Sequence, residues 1–152
     1  MVRLPEEKKN MSKAQELHIQ IHKITELNNV LLNLLADRFL CDMEITEELF
    51  CRYVDLVDHH LKNTETEIFS KLLTKADDDQ ARHVDRFIGG AKEIKQIFNS
   101  YTKKWIRNKH LKIKHYETFF QETEEMFDLV LNRLQDETEK LYPLMKALEI
   151  DH

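Results

Sequence analysis

The chain has 152 residues, a length that fits a single domain. It contains only two glycines and two prolines, too few for the many turns of a β-sandwich or an α/β fold, so a few long helices are favoured. A net charge of −5 gives no overall attraction to nucleic acid, and no nucleic-acid partner is expected. The unusual feature is a set of eight histidines.

Membrane and disulfide signals are weak in this sequence. No apolar run reaches the length of a membrane span, and the first ten residues, MVRLPEEKKN, lack the apolar core of a signal peptide. Cys41 and Cys51 stand too far apart for a C-x-x-C motif and are expected to be reduced thiols. We therefore expect a cytoplasmic protein without a membrane partner.

The first half of the chain predicts two helices. Helix A is predicted from the capping residue Ser12, with Glu16 one turn on, to about Asp42, because apolar residues recur every three or four positions. Helix B is predicted from an N-cap at Thr46 to about Thr74. Residues 1–11 are expected to form an N-terminal extension, and residues 12–152 the domain.

The second half predicts two more. Helix C begins at the caps of residues 77–79 and runs toward Trp105, and the pair at 89–90, two glycines, indicates close packing or a kink. Helix D carries apolar residues over 119–134, and Pro143 is expected to bend or end it. The predicted fold is all-α, an up-down-up-down antiparallel four-helix bundle.

Bundle topology gives the histidines a common location. In an antiparallel bundle the starts of helices A and C share one end with the ends of helices B and D. The imidazoles and carboxylate at that end are His18, His22, His59, His60, His83 and Glu137. Convergence of such groups from several helices is how bundles build metal sites. For each histidine taken singly, the alternative is a packed or capping role.

An internal repeat links the second and fourth helices, since residues 60–72 align with residues 133–145. The chain here resembles the hemerythrin-like (HHE cation-binding) family, whose helices B and D each carry a His-x-x-x-Glu motif followed by an apolar-aromatic-Pro segment. Residues 58–69 look like the first motif, and residues 133–143 look like the second. The resemblance covers about residues 17–145.

The resemblance implies a metal site with gaps in its ligand set. The ligands that match the family's pattern are His22, His60, His83 and Glu137. Thr64 stands where the first motif has its glutamate, Arg133 stands where the second has its histidine, and Phe87 stands where oxygen carriers have another histidine.

Two substitutions suggest how the site has changed. Glu65 follows Thr64 but is rotated by about 100°, so it is a candidate ligand only if the helix shifts locally. Arg133 stays protonated and cannot ligate a metal, and we hypothesise that it replaces one cation by pairing with Glu137 or another carboxylate. Room is then left for one metal or none, and iron, zinc or manganese would suit the remaining residues.

Two functions follow from the resemblance. One is a non-haem iron protein, mononuclear or di-iron, that binds or senses iron, dioxygen, nitric oxide or redox state. The alternative is a metal-free degenerate bundle that works as a regulatory or protein-interaction module. An iron-dependent enzyme, such as a nitrosative-stress repair activity, is a further hypothesis, while no constellation of nucleophile and base supports hydrolysis.

Large apolar side chains leave the oligomeric state open at this point. Phe50, Trp105 and Phe120 suit either the core or the face of a homodimer or another protein partner. Their spacing on the predicted helices favours the core.

Overall fold

The computed structural model describes residues 12–150, which are almost entirely helical. The α-helices are α1 (Lys13–Leu35), α2 (Arg38–Cys41), α3 (Glu44–Thr64), α4 (Ser70–Lys75), α5 (Asp78–Trp105), α6 (Tyr116–Asp136) and α7 (Tyr142–Ala147). Two π-helical turns, π1 (Glu65–Phe69) and π2 (Glu137–Leu141), and two strands, β1 (Ile106–Arg107) and β2 (His110–Leu111), complete the described part of the chain. The all-α class is confirmed, and the predicted extension at 1–11 lies outside the described residues.

Helix α1 begins as predicted but ends early. The Ser12 hydroxyl accepts a hydrogen bond from the backbone N–H of Gln15, and the Gln15 side chain returns one to the Ser12 backbone. Gln15, rather than the predicted Glu16, therefore completes the capping box. The helix ends at Leu35 because Asp37 caps a new, short helix, α2, so the prediction of one helix to Asp42 is wrong.

The start of α3 also differs from the prediction. The helix begins at Glu44 with Met43 at the N-cap position, two residues before the predicted cap. Thr46 is buried inside the helix, and its hydroxyl has no hydrogen-bond partner in the described part of the chain. The acidic first turn, Glu44 and Glu47, supplies the favourable interaction with the helix dipole instead.

Neither the glycine pair nor Pro143 ends its helix, and at Gly90 the structure shows the close packing that was the alternative to a kink. Helix α5 starts at the Asp77 cap and continues through Gly89 and Gly90 to Trp105. Pro143 lies in the first turn of α7, where a missing N–H removes no hydrogen bond, and the helix continues to Ala147. The helix therefore does not end at Pro143, and that part of the prediction is wrong.

A tight hairpin joins α5 to α6. Ile106 pairs with Leu111, and Arg107 pairs with His110. The two residues between the strands, Asn108 and Lys109, both have positive φ values of 53° and 65°. This is the backbone that a two-residue hairpin turn requires.

The two π turns fall at equivalent places in the internal repeat. Buried positions recur every four residues in both copies, at His60, Thr64, Ile68 and Leu72 and at Arg133, Glu137, Leu141 and Met145. In an α-helix a four-residue step overshoots a full turn by about 40°, so three steps would rotate the buried face by about 120°. A π turn takes up about one extra residue and restores the face.

The long helices contact each other in a closed cycle. Helix α1 packs against α3 and α6, and α5 also packs against α3 and α6. Phe50 and Trp105 are buried in this core and Phe120 is half-buried against it, so the core use of all three is confirmed. None of the described helices is both long enough and apolar enough to span a membrane.

Candidate functional site

A polar layer interrupts the hydrophobic core. The core consists of two apolar clusters, one containing Leu61 and Leu134 and the other containing Ile68 and Leu141. Between these positions in the sequence lie the buried residues Thr64, in the first copy of the repeat, and Glu137, in the second. His60, Arg133 and Gln20 join Glu137 to form what we call the polar layer.

His60 is the imidazole at the centre of this layer. Its side chain is 1% exposed, and its Nε2 lies 2.6 Å from Glu137 Oε1. Its Nδ1 lies 2.7 Å from Gln20 Oε1 on α1. Both ring nitrogens are therefore already engaged within the chain, and neither presents a free lone pair to a metal.

Glu137 is a fully buried carboxylate with a partner on each oxygen. Oε1 contacts His60, and Oε2 accepts a hydrogen bond of 3.0 Å from Nε of Arg133. The predicted ion pair between Arg133 and Glu137 is therefore present. A buried carboxylate is costly unless it is paired and hydrogen-bonded, and these two contacts meet that requirement.

Two residues of α5, Phe87 and Gly90, also position Arg133. Its Nη2 donates a hydrogen bond of 3.1 Å to the backbone oxygen of Phe87. Its guanidinium carbon lies 4.8 Å from the centre of the Phe87 ring, within the range of a cation–π contact. A Cβ atom at Gly90 would lie 3.0 Å from Arg133 Nη1, so the missing side chain at Gly90 makes room for the guanidinium.

The remaining neighbours seal the layer. The Thr64 hydroxyl donates to the backbone oxygen of His60 at 3.0 Å and so turns back to its own helix. The Tyr142 hydroxyl is buried without a hydrogen-bond partner in the described part of the chain. Burial raises the pKa of Tyr142, the charge of Glu137 raises it further, and the charge of Arg133 lowers it. A cavity of only about 10 Å³ borders His60 and Arg133, about the space of one water molecule.

The structure separates the predicted metal ligands. His60 and Glu137 come together, whereas His22 is 74% exposed and lies 3.0 Å from Glu26. His83 is exposed on α5, and Glu65 is exposed and pairs with Lys95. Across residues 12–150, no group of three or more His, Cys, Asp or Glu side chains is arranged to hold a metal.

Each misplaced ligand has a physical reason. Glu65 is the first residue of π1, so the helix does change locally at this point. Thr64 is nevertheless the residue that faces the core, and Glu65 stays exposed to solvent. His22 and His83 lie on the solvent sides of α1 and α5, while Gln20 and Phe87 reach the polar layer. The residues present therefore do not fit the ligand set that the resemblance implies.

Two other histidines of the same end lie outside the polar layer. His18 makes an edge-on ring contact with Tyr142 at 4.9 Å. His59 is exposed and lies 3.5 Å from the side-chain nitrogen of Asn63. The packed alternative that the sequence left open for single histidines therefore applies to His18.

Three members of the site were not identified from the sequence as contacts. Gln20 is a polar residue between the apolar positions Leu17 and Ile24, both of which are buried. That break in an apolar stripe is a usable signal, because a polar residue on a buried face needs a partner. Phe87 acts through a backbone oxygen, which residue type does not reveal. The close packing that the glycine pair indicated is present at Gly90, but its partner Arg133 was not identified.

No known protein family, curated protein or solved structure matches this chain.

Proposed function

We propose that this chain is a metal-free, hemerythrin-like antiparallel four-helix bundle that works as a regulatory or protein-interaction module. The observation that carries the proposal is the state of the two best candidate ligands. Both ring nitrogens of His60 and both oxygens of Glu137 already have partners, and one partner is the guanidinium of Arg133.

The electrostatics of the polar layer support this proposal. Glu137 has lost its water and needs a compensating positive charge, which a metal ion supplies in the family that the chain resembles. Here Arg133 supplies that charge from the same helical face, one turn before Glu137. A metal at this position would have to displace a guanidinium that is also bound to the Phe87 backbone.

The packing supports the bundle part of the proposal. Each long helix contacts two others, in the cyclic order α1, α3, α5, α6. Connections between successive long helices are short, as the up-down-up-down arrangement requires. The repeat of the buried positions in α3 and α6 supports a pseudo-symmetric relation between the two halves.

The iron-binding hypothesis stays a prediction, and it requires several side chains to change position. It requires His22 and His83, both exposed, to turn inward together with Glu65 or a water ligand. It also requires Arg133 to leave Glu137. Oxygen, nitric oxide and redox sensing depend on the same rearrangement, as does iron-dependent catalysis.

Thermal unfolding with and without a chelator tests the proposal. A metal bound only by the folded chain adds stability, which a strong chelator removes. We expect the melting temperature to be the same before and after anaerobic treatment with a chelator. His83→Ala should also leave it unchanged, because that side chain is exposed. A clear fall in melting temperature on chelation, absent from His83→Ala, would contradict the proposal.

A further inference from the structure

A surface groove lies directly outside the polar layer. It has a volume of about 380 Å³ and runs between α5 and α6. Its charged and titratable lining residues are His83, Arg86, Arg133, Asp136 and Lys140, and its remaining walls are Phe87 and Gly90. Three permanent cations therefore face one carboxylate, on a chain whose net charge is −5.

Arg133 links the groove to the buried layer. Its side chain is only 8% exposed. Nε is bound to Glu137 and Nη2 to the Phe87 backbone, whereas no acceptor contacts Nη1 within the described part of the chain. Nη1 is the atom that a Cβ at Gly90 would meet, and Gly90 lines the groove. The N–H groups of Nη1 therefore face the groove beside Gly90.

Nη1 is not buried, so its N–H groups are open to the groove and can donate to water or to an anion there. A hydrogen bond from a guanidinium to an anion is stronger than one between neutral groups. Arg86 has no ion-pair partner among the described residues, and Lys140 contacts only Asp136, at 3.8 Å. The groove thus offers two cationic side chains at its rim and one fixed donor at its wall.

From this arrangement we propose that the groove binds a phosphate group. Arg133 is balanced by Glu137 and Lys140 lies near Asp136, so Arg86 is the groove's uncompensated cation, and the several oxygens of a phosphate suit donors from Arg86, Arg133 and Lys140. Gly90 leaves space for an oxygen to approach Nη1. Because Arg133 also binds Glu137, the bound anion would be connected to His60 through the side chains of Arg133 and Glu137.

This inference rests on the proposed function in one respect, since Arg133 must stay in the polar layer rather than give way to a metal. The metal-free state and phosphate binding can nevertheless be refuted independently. Absence of phosphate binding would leave the chelator result untouched. A chelator-sensitive melting temperature would refute the metal-free state whatever the phosphate result.

The test is titration calorimetry of the full chain with inorganic phosphate, at constant ionic strength, with acetate as the comparison anion. We expect phosphate to bind and acetate to bind much more weakly. Methyl phosphate is the second probe. Binding of both supports a site for the phosphate group of a larger molecule, whereas binding of inorganic phosphate alone supports a site for the free ion.

Matched charge variants locate the site. Arg86→Gln and Lys140→Gln should each weaken phosphate binding by about tenfold, as expected for loss of one charge-assisted hydrogen bond. Lys92→Gln removes one positive charge from an exposed position of the same helix, outside the groove, and should change little. Asp136→Asn removes the opposing carboxylate and should strengthen binding.

A spectroscopic readout ties binding to Arg133. The Nε–H group of Arg133, buried against Glu137, should give an NMR signal that shifts as phosphate is added. No phosphate binding, or equal loss of affinity in Lys92→Gln and Arg86→Gln, would overturn the proposal. An unchanged Arg133 signal at saturating phosphate would overturn it as well.

Discussion

Arg133 lies one turn before the buried Glu137, and its chemistry explains the rest of the polar layer. A guanidinium stays charged, so it can neutralise the buried Glu137 carboxylate without a metal. Its three nitrogens are distributed between Glu137, the Phe87 backbone and the wall at Gly90. The Arg133 side chain therefore determines which partners several neighbouring residues have.

Removing this guanidinium should be costly. In Arg133→Met, Glu137 loses its permanently charged buried partner, and we expect a loss of about 3–5 kcal/mol in the free energy of unfolding. Adding Glu137→Gln to the same chain should recover part of that loss, because the buried charge is gone. Urea unfolding of the wild type, both single variants and the double variant measures the coupling. Additive effects, with no coupling between the two positions, would refute the ion pair as a stabilising unit.

The two adjacent glycines of α5 give a matched comparison. A Cβ at Gly89 would contact nothing within 4 Å, whereas one at Gly90 would lie 3.0 Å from Arg133 Nη1. Gly89→Ala should stabilise the protein by about 0.5–1 kcal/mol through helix propensity. Gly90→Ala should lose that gain or destabilise, because Arg133 is held on two sides. Equal stabilisation by both variants in thermal unfolding would show that Arg133 moves freely.

At the scale of elements, the π turns decide which residues face the core. Each turn follows a buried polar position, Thr64 in one copy and Glu137 in the other. Without the extra residue, the helix beyond it would turn Ile68 and Leu141 away from the second apolar cluster. The π turns thus connect the polar layer to the core on its far side.

Two single-residue deletions in this helical segment should differ in their effect on stability. Thr66 lies exposed within π1, and its removal should convert the turn to regular α-helix while keeping Leu72 on the buried face. Asp55 lies exposed within regular α-helix, and its removal should rotate the following segment by about 100°. We expect a loss of less than about 1 kcal/mol for the first deletion and more than about 3 kcal/mol for the second, measured by urea unfolding. Equal damage by both deletions would contradict the role given to π1.

The junction between α5 and α6 gives a pH-dependent signal. Trp105, the only tryptophan of the chain, donates from Nε1 to Glu122 Oε1 at 3.1 Å, and Lys104 donates to Oε2 at 2.7 Å. The Lys104 hydrogen bond, followed by that of Trp105, holds the pKa of Glu122 below its ordinary value. The pair therefore stabilises the fold at neutral pH, and this contribution is lost as pH falls through the lowered pKa.

Tryptophan fluorescence should report this titration. We expect the emission of Trp105 to change as pH falls below the ordinary pKa range of a glutamate and Glu122 is protonated. Glu122→Gln should abolish that step, while Glu125→Gln, at the next turn of α6, should preserve it. The effect on stability should be small, since the Glu122 side chain is 33% exposed and the ion pair is screened by water. A low-pH step that persists in Glu122→Gln would assign it to another group.

At the scale of the whole molecule, the periodicity of the apolar residues predicted the long helices. The predicted topology then placed His60 and Glu137 at the same end of the molecule. The caps at Ser12 and Asp77 are correct because a side chain and its backbone partner lie within one turn. The start of α3 was missed because Met43 caps it without a side-chain hydrogen bond.

The composition of the site was harder to predict. The Arg133–Glu137 pair follows from sequence because the residues stand one turn apart and Glu137 needs a cation. Whether His22 and His83 face solvent depends on how α1 and α5 are rotated about their axes. The apolar stripes of these helices do not define that rotation to within one residue. Contacts through a backbone oxygen, as at Phe87, leave no trace in residue type.

If the Arg133 guanidinium, and no metal, balances the buried Glu137 carboxylate, the folded chain should not take up iron. This can be measured as iron content after anaerobic loading with Fe(II) and desalting. We expect iron far below one atom per chain, for the wild type and for His83→Ala alike. Stoichiometric iron in the wild type that falls in His83→Ala would contradict it.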